Sequence, residues 1–491
     1  MTTVRNRYLE RKYGGAYKWF AVFAIITGLL ASIFSSTMVN VALTNIMASY
    51  HITQGSVQWM STAYLSASTV CMLSSAWLMH NYGARPAFML ATSLFFSGCM
   101  IGQFAPDFGL LVFARVLQGS GAGILQPLTM ALVFRLFPAN KRGTALGTFS
   151  MVTVFGPAVG PTIGGIITDN LDWHYTFTAA LPLSLCAGVL GWIFLPDTRE
   201  EEGRSRFNYI SFFIVAVMVS SFLTGLSKSQ FHGFTDPLVM TFLAIAFLSF
   251  TLFILRERGS ASPLLRLDMF RNPEFTATVL IATIVSAGMF SSIYMIPLFT
   301  RTVQLSSATH AGLMLLPGGL TLAFISPIAG RLVDRMPPQR LLLAGALIFT
   351  VSSYMISNVT ALSGFWFIAG WLMVSRGALG LILPSNNTLA MSSMRPEQVP
   401  QASGALNFCR MLGGTTGVNL MALLITAHSH HYELLMKEQT HQSILSDAEM
   451  TTALTQTFQD CFFIACIFFS LAIFPVLFLI FRSRIKQNPA V

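Results

Sequence analysis

Three arginines, Arg115, Arg376 and Arg410, stand inside long apolar stretches of a 491-residue chain. A guanidinium in lipid is costly and is kept where it meets water, a carbonyl or an acid. The competing reading is that each snorkels to the nearest interface. Of the 19 acidic residues none lies well inside an apolar stretch, and only Asp460 stands at the edge of one. An acid there could load a proton from one side and release it on the other, or it could simply complement a helix dipole. This is charge-handling chemistry rather than bond-making chemistry. The six cysteines show no CxxC spacing, and no P-loop, GxSxG, HExxH or dinucleotide fingerprint is present. An enzyme and an ATP-driven pump are therefore not expected, nor is a cofactor. The tract "HSHHYELLMKEQTH" (428–441) offers His428, His430 and His431 to a metal, but without the helical ligand pair of a zinc enzyme. It reads as a solvated loop, as does the acidic run Glu200–Glu202.

A second pattern concerns backbone rather than charge. "GTFSMVTVFGPAVGPTIGG" (147–165) places five glycines and two prolines in an otherwise apolar segment. Gly156, Gly160 and Gly164 recur every four residues and paint a smooth stripe down one helix face. Such a stripe lets a neighbouring helix approach to backbone contact. Pro157 and Pro161 lack an N–H, so the helix is expected to bend. A bent, close-packed helix at the interface of two helical bundles is a place where the two halves could rock against each other.

The elements that carry these residues are membrane spans. The chain is 54% hydrophobic and 10% charged, too apolar for a soluble core. Fourteen stretches reach the ~20 residues that a bilayer requires. They lie near 19–43, 57–79, 87–104, 109–134, 143–167, 175–195, 209–227, 237–255, 275–299, 310–333, 340–358, 363–390, 402–427 and 460–481. With the N-terminus placed in the cytoplasm, 23 Lys and Arg residues fall in inside segments and 3 in outside loops. That split is the positive-inside signature and requires an even number of spans. The net charge of +10 is thus explained by the membrane, and no basic face interleaved with aromatics suggests nucleic acid. The N-terminal apolar run is too long for a cleavable signal.

The two halves echo each other. "AWLMHNYGARP" (76–86) answers "GRLVDRMPPQR" (330–340), Arg115 answers Arg376, and Gly164-Gly165 answers "GGTTG" (413–417). The offsets are 254, 261 and 249 residues. Two six-helix bundles with two helices inserted between them fit this spacing, the usual build of secondary transporters. The expected organisation is a cytoplasmic N-terminus (1–18), a first bundle (19–195), a linker with two inserted helices (196–273), a second bundle (274–481) and a cytoplasmic tail (482–491).

The spacing G-x8-G-x3-G-P-x2-G-G, met by Gly147, Gly156, Gly160, Pro161, Gly164 and Gly165, resembles the antiporter signature of the major facilitator superfamily. "RVLQGSGAG" (115–123) is similar to that family's fourth-helix motif, and "GRLVDR" (330–335) to its inside-loop motif. "NFCRMLGG" (407–414) and "PLLRLDMFRNPEF" (263–275) resemble the fourteen-helix drug–proton antiporter branch, the EmrB/QacA type. The resemblance implies an all-α polytopic membrane fold and an exporter of hydrophobic or amphipathic small molecules, with protons as the driving partner. It assigns proton coupling to Arg115 with Gln118, and gating to Asp334 and Arg335. Arg410 and Asp460 are the further coupling candidates. Ser35, Met38, Asn40, Gln126, Met151, Phe155 and Asn407 are expected to line a substrate cavity. A periplasmic adaptor protein and outer-membrane channel are admitted as partners, and the inner membrane is the expected location.

The chain also departs from the pattern. "FSSTMVNVAL" (34–43) has Ser35 where the branch has an acid. The first-half loop motif is eroded at Ala76, His80 and Asn81, Ala180 replaces a common Asn, and Arg301 lies near a usual Gln. With no acid in the first span, a dedicated metabolite or siderophore exporter stays open as an alternative. So does a transporter-like sensor without proton coupling.

Overall fold

The computed structural model describes residues 4–196, 205–260, 262–440 and 446–487. Among these, all regular elements are helices. After a short helix, Val4–Tyr13, the spans are α1 (Tyr17–Tyr50), α2 (Trp59–Tyr82), α3 (Ala84–Gln103), α4 (Phe108–Leu136), α5 (Arg142–Asn170) and α6 (Leu181–Phe194). They continue as α7 (Tyr209–His232), α8 (Pro237–Arg258), α9 (Pro273–Thr302), α10 (Ala308–Val333), α11 (Pro338–Ile356) and α12 (Phe365–Ser392). The last two are α13 (Val399–Thr440) and α14, which runs Asp447–Ser470 and resumes as Ile473–Gln487. Among the described residues, thirteen helical segments are long and apolar enough to cross a membrane, and α2 is the fourteenth span. Seven of its 24 residues are Ser or Thr. Three of these hydroxyls turn back on the helix itself: Thr69 donates to the Leu65 carbonyl at 2.7 Å, Ser74 to that of Cys71 at 2.7 Å and Ser75 to that of Met72 at 2.8 Å. A helix that satisfies its own hydroxyls can be buried despite modest hydropathy.

Helices α1–α6 pack as one bundle and α9–α14 as a second. The bundles meet through α5 against α10 and α2 against α13. The α7–α8 hairpin joins them through α7, which lies on α2 and α13. Large apolar side chains such as Phe247, Phe324 and Phe474 point outward, as a lipid-facing surface requires.

Three expectations need correction. The His tract is not a loop, because α13 continues as helix through residues 428–440; His441 and Glu200–Glu202 lie outside the described residues. The last helix does not open at Asp460 but 13 residues earlier, at Asp447. There Ser446 and Glu449 form a capping box, with the Ser446 amide donating to Glu449 Oε2 at 2.8 Å. The glycine stripe also faces elsewhere than a bundle interface. A Cβ on Gly156 would strike Ile33, one on Gly160 would strike Thr37, and one on Gly164 would lie 2.8 Å from Met38 Cα. All three partners belong to α1 of the same bundle. Gly147 is the residue that meets the other bundle, with Ser326 O and Gly330 Cα of α10 at 2.6 and 3.0 Å from a Cβ built there. Gly165 has nothing within 4 Å, and Pro161 is exposed. The helix runs unbroken through both prolines.

Candidate functional site

Asp334 stands at the end of α10 and caps the start of α5 across the bundle boundary. Its Oδ1 accepts from the Gly143 amide at 2.7 Å and its Oδ2 from the Thr144 amide at 2.8 Å. The Thr144 hydroxyl adds a third bond at 2.6 Å. First-turn amides have no partner within their own helix, and the positive end of the helix dipole favours an anion there. Beneath this latch Gly143 and Gly147 lie against Gly330, so the two backbones touch. Arg335 is exposed and takes no part in these bonds.

The eroded first-half motif does something different. Asn81 accepts from the Ser205 amide at 2.9 Å and donates to its carbonyl at 3.0 Å, joined there by the Trp77 indole at 3.0 Å. The end of α2 thus holds the linker. Its approach to α13 rests on Gly404, where a Cβ would lie 3.0 Å from the Met72 carbonyl.

Arg115 is 1% exposed and meets no carboxylate among the described residues. Its Nε donates to the Met60 carbonyl at 3.1 Å, and its Nη1 to Gln118 Oε1 at 2.8 Å. The guanidinium also lies 4.2 Å from the centre of the Tyr64 ring, a cation–π contact. Gln118 then donates to Ser35 Oγ at 3.2 Å and Cys99 Sγ at 3.1 Å. The site of the missing first-span acid is therefore occupied by a hydroxyl that receives an amide proton. Carbonyls and π-electrons carry the counter-charge instead. "GSGAG" makes room for this: a Cβ on Gly121 would lie 2.5 Å from the Ala91 carbonyl, and Gly119 and Gly123 meet the α2 backbone as closely.

A second network straddles the bundle boundary. Arg410 donates to Asn407 Oδ1 at 3.2 Å and to Asn387 Oδ1 at 2.5 Å. Asn387, on α12, donates to Ser150 Oγ of α5 at 3.3 Å. Ser403 donates to the Pro127 carbonyl at 2.7 Å, and the Asn407 amide reaches Met130 Sδ at 3.5 Å. Arg376, 4% exposed, donates to Ser292 Oγ at 2.8 Å. One buried nitrogen on each of Arg376 and Arg410 has no partner among the described residues. Asn387 and Thr144 were not singled out in the sequence, although the amide pair in "LPSNNTLA" is an unusual feature of an apolar run.

Of the expected cavity residues, Ser35 and Met38 are buried in packing within the first bundle. Asn407 is buried at the bundle boundary. Gln126, Met151 and Phe155 are half-buried, and Asn40 is exposed, accepting from Ser61 Oγ at 2.9 Å. Asp460 is not near Arg115 or Arg410 in any hydrogen bond. Its Oδ2 accepts from the Tyr432 hydroxyl of α13 at 2.6 Å. No group of three or more metal-ligating residues is found among the described residues.

Every hydrogen bond between the bundles named above lies in the half nearer the basic loops. In the opposite half of α1 and α5, Asn40, Asn45 and Thr162 are exposed. Two helical bundles locked at one face, each with a buried arginine network, define a polytopic membrane protein of the secondary-transporter class. The chain belongs to the Major Facilitator Superfamily, which it matches over residues 25–418. It is 28% identical to the lincomycin resistance protein LmrB of Bacillus subtilis, covering 96% of this chain and 98% of that one. It is 26% identical to the tetracenomycin C resistance and export protein of Streptomyces glaucescens, covering 81% and 74% respectively. These relatives are consistent with the drug–proton antiporter branch. Among solved structures, the human organic anion transporter MFSD10 superposes with a TM-score of 0.65 at 15% identity, covering 94% of this chain and 99% of that one. The proton:xylose symporter XylE does so with 0.62 at 13%, covering 94% and 97%. At these identities the likeness shows the fold alone.

Proposed function

We propose that this chain is a secondary exporter of hydrophobic or amphipathic small molecules, working by alternating access and driven by inward proton flow. The observation that carries this reading is the one-sided closure. Asp334 and the Gly143/Gly147/Gly330 contact tie the bundles at the basic face, while polar residues on the opposite half stay exposed. Reversal of access requires breaking the three Asp334 bonds, the Asn387–Ser150 and Ser403–Pro127 bonds behind them, and the glycine contacts, each of them small and separable. The resistance and export functions named for the relatives supply the substrate class.

The basic face is read as cytoplasmic in an inner membrane, with both termini there and the segments 1–18, 19–195, 196–273, 274–481 and 482–491 as its divisions. A single cysteine at position 200 would then resist labelling from outside, and strong labelling would overturn this orientation. A periplasmic adaptor protein and outer-membrane channel, if recruited, would meet the opposite face, where α13 and α14 are joined. The decisive experiment is flux in proteoliposomes with and without a pH gradient. Export against a concentration gradient that collapses with the pH gradient supports the reading. Saturable binding without flux would point to a sensor.

A second reading narrows the cargo. Among the described residues the two bundles bury Arg115 and Arg376, half-bury Arg410 and bury no acid, and Arg376 and Arg410 each keep an unpartnered nitrogen. An anionic metabolite or siderophore would complete those donors. Competition by an anionic amphipath, and none by its neutral amide, would favour this narrower exporter.

A further inference from the structure

A wide crevice lies outside the two bundles' transport networks. It has a volume of about 1470 Å³ and opens at the basic face between α8, the linker, and the ends of α2, α4 and α13. One face of α8 forms a wall through Phe250, Phe253, Ile254, Glu257 and Arg258, at helical spacing. The wall is apolar toward the membrane interior and charged at its basic-face end. Among the spans, α8 packs extensively only on α7, so its crevice face is reachable from the side.

Glu257 is the odd member of this wall. It is 4% exposed, the only acid fully buried among the described residues. Its Oε2 accepts from the Leu265 amide at 2.9 Å, and its Oε1 is buried without a partner among the described residues. A buried carboxylate oxygen without a donor is expensive and calls for an N–H group. Around it stand arginines with different commitments. Arg266 is held by Asp268 at 2.9 Å and Arg135 by the Pro396 carbonyl at 2.8 Å. Arg258 and Arg271 have no hydrogen-bond or ion-pair partner among the described residues.

We propose that this crevice binds a membrane phospholipid whose head carries a primary amine. The ammonium donates to Glu257 Oε1, the phosphate lies between Arg258 and Arg271, and an acyl chain follows Phe250 and Ile254. The order of the wall decides for a lipid over a free aminophosphate, since a soluble ligand would leave the apolar stretch unfilled. A compact ammonium suits a single unpaired oxygen, and exposed, uncommitted arginines suit a phosphate. The crevice also touches α2 through Trp77 and α13 through Phe408, the helices at which the bundles meet. A lipid held there biases their separation if it fits one arrangement better than the other.

The test uses full-length protein in nanodiscs holding equal parts of phosphatidylethanolamine, phosphatidylcholine and phosphatidylglycerol with identical chains. A photoreactive benzoylphenylalanine replaces Phe250, and in a second protein Phe247, which is 69% exposed on the outer face. Lipid adducts are identified by mass spectrometry. At 250 phosphatidylethanolamine should exceed phosphatidylcholine severalfold, while at 247 the adducts follow bulk composition. Glu257→Gln should abolish that preference yet leave lipid adducts. Arg258→Gln with Arg271→Gln should lower all three severalfold. Adducts at 250 that mirror those at 247, or none at all, overturn the proposal. That comparison stands whether or not the Gln variants fold.

Discussion

Asp334 and Thr144 belong to different bundles, yet the carboxylate of one serves as the helix cap of the other. Two of the bonds use backbone amides, so the lock depends on the start of α5 rather than on its side chains. The counterpart at α2 and α13 lacks any such charge, since Asn81 is engaged with Ser205 and contact rests on Gly404. One side of the closure is thus electrostatic and the other steric.

Asp334→Ala should therefore loosen the basic face without unfolding either bundle. Hydrogen bonds to a charged group are worth about 1.5–3 kcal/mol each when shielded, and less where water reaches them as it does here. Losing three still shifts the closed-to-open ratio by roughly tenfold or more. The readout is maleimide labelling of Ser326→Cys, a fully buried site beside Gly147, in a cysteine-free background. Labelling should rise in Asp334→Ala and rise less in Asp334→Asn, which keeps one acceptor. Equal labelling in all three would mean the latch does not hold the face closed.

The glycine signature divides into three classes of substitution. Gly160→Leu and Gly164→Leu push α5 from α1 and should lower stability by about 1–3 kcal/mol or more, the usual cost of overpacking. Gly147→Leu should leave a folded protein that cannot close its basic face, because its neighbour is the other bundle. Gly165→Leu should be tolerated, having nothing within 4 Å. Thermal melting separates the first class from the second and flux separates the second from the third. Uniform behaviour across all four would refute the division.

Much of the architecture was legible because lipid imposes length and charge rules on a chain. The spans follow from apolar runs, and α2 stands out among them as the most hydroxyl-rich, with Thr69, Ser74 and Ser75 bonding back on the helix itself. What could not be read was direction around each helix axis. The stripe at Gly156, Gly160 and Gly164 announces a close neighbour, but nothing in its spacing says that the neighbour is α1 rather than α10. Ser35 and Met38 were expected at a cavity for the same reason, and the structure turns both into packing. Asp460 looked like the start of a helix because the apolar run begins there. The capping box at Ser446 sits in a polar segment that hydropathy passes over. Glu257 was hidden among the basic residues of α8's end, where an acid reads as a solvated charge.

Arg115→Ala should insert in the membrane yet fail in uphill export. Its loss leaves Gln118 Oε1 without its donor, at a cost of about 1–3 kcal/mol, and removes the second donor of the Met60 carbonyl, which keeps its place in the helix. Arg115→Lys should fail too, since one ammonium cannot address the carbonyl, the amide and the Tyr64 face in one plane. Gln118→Ala should be milder, keeping the charge and its contact with Tyr64. Wild-type export by Arg115→Ala would reduce this network to packing.

Asp460 poses the sharpest question about the proton. The dipole explanation fails, because Asp447 and Glu449 already occupy the first turn of α14 and Asp460 lies 13 residues further on. It is half-buried, and its bond to Tyr432 ties α14 to α13 at 2.6 Å. Under the proposed export mechanism this acid, held by one phenol at the edge of an apolar run, is the candidate to carry the proton as its helix moves against α13. On the proton-driven reading, Asp460→Asn should stop export against a gradient and spare exchange of substrate between two equal pools, which requires no net proton. Tyr432→Phe should slow uphill export by a smaller factor, since the carboxylate remains and only its donor is lost. Both reactions are measured in the same proteoliposomes, with a melting curve to verify folding. Undiminished pH-driven export by Asp460→Asn would move coupling to histidines or a water path. Loss of exchange together with export in a well-folded variant would make Asp460 part of the moving machinery rather than its proton carrier.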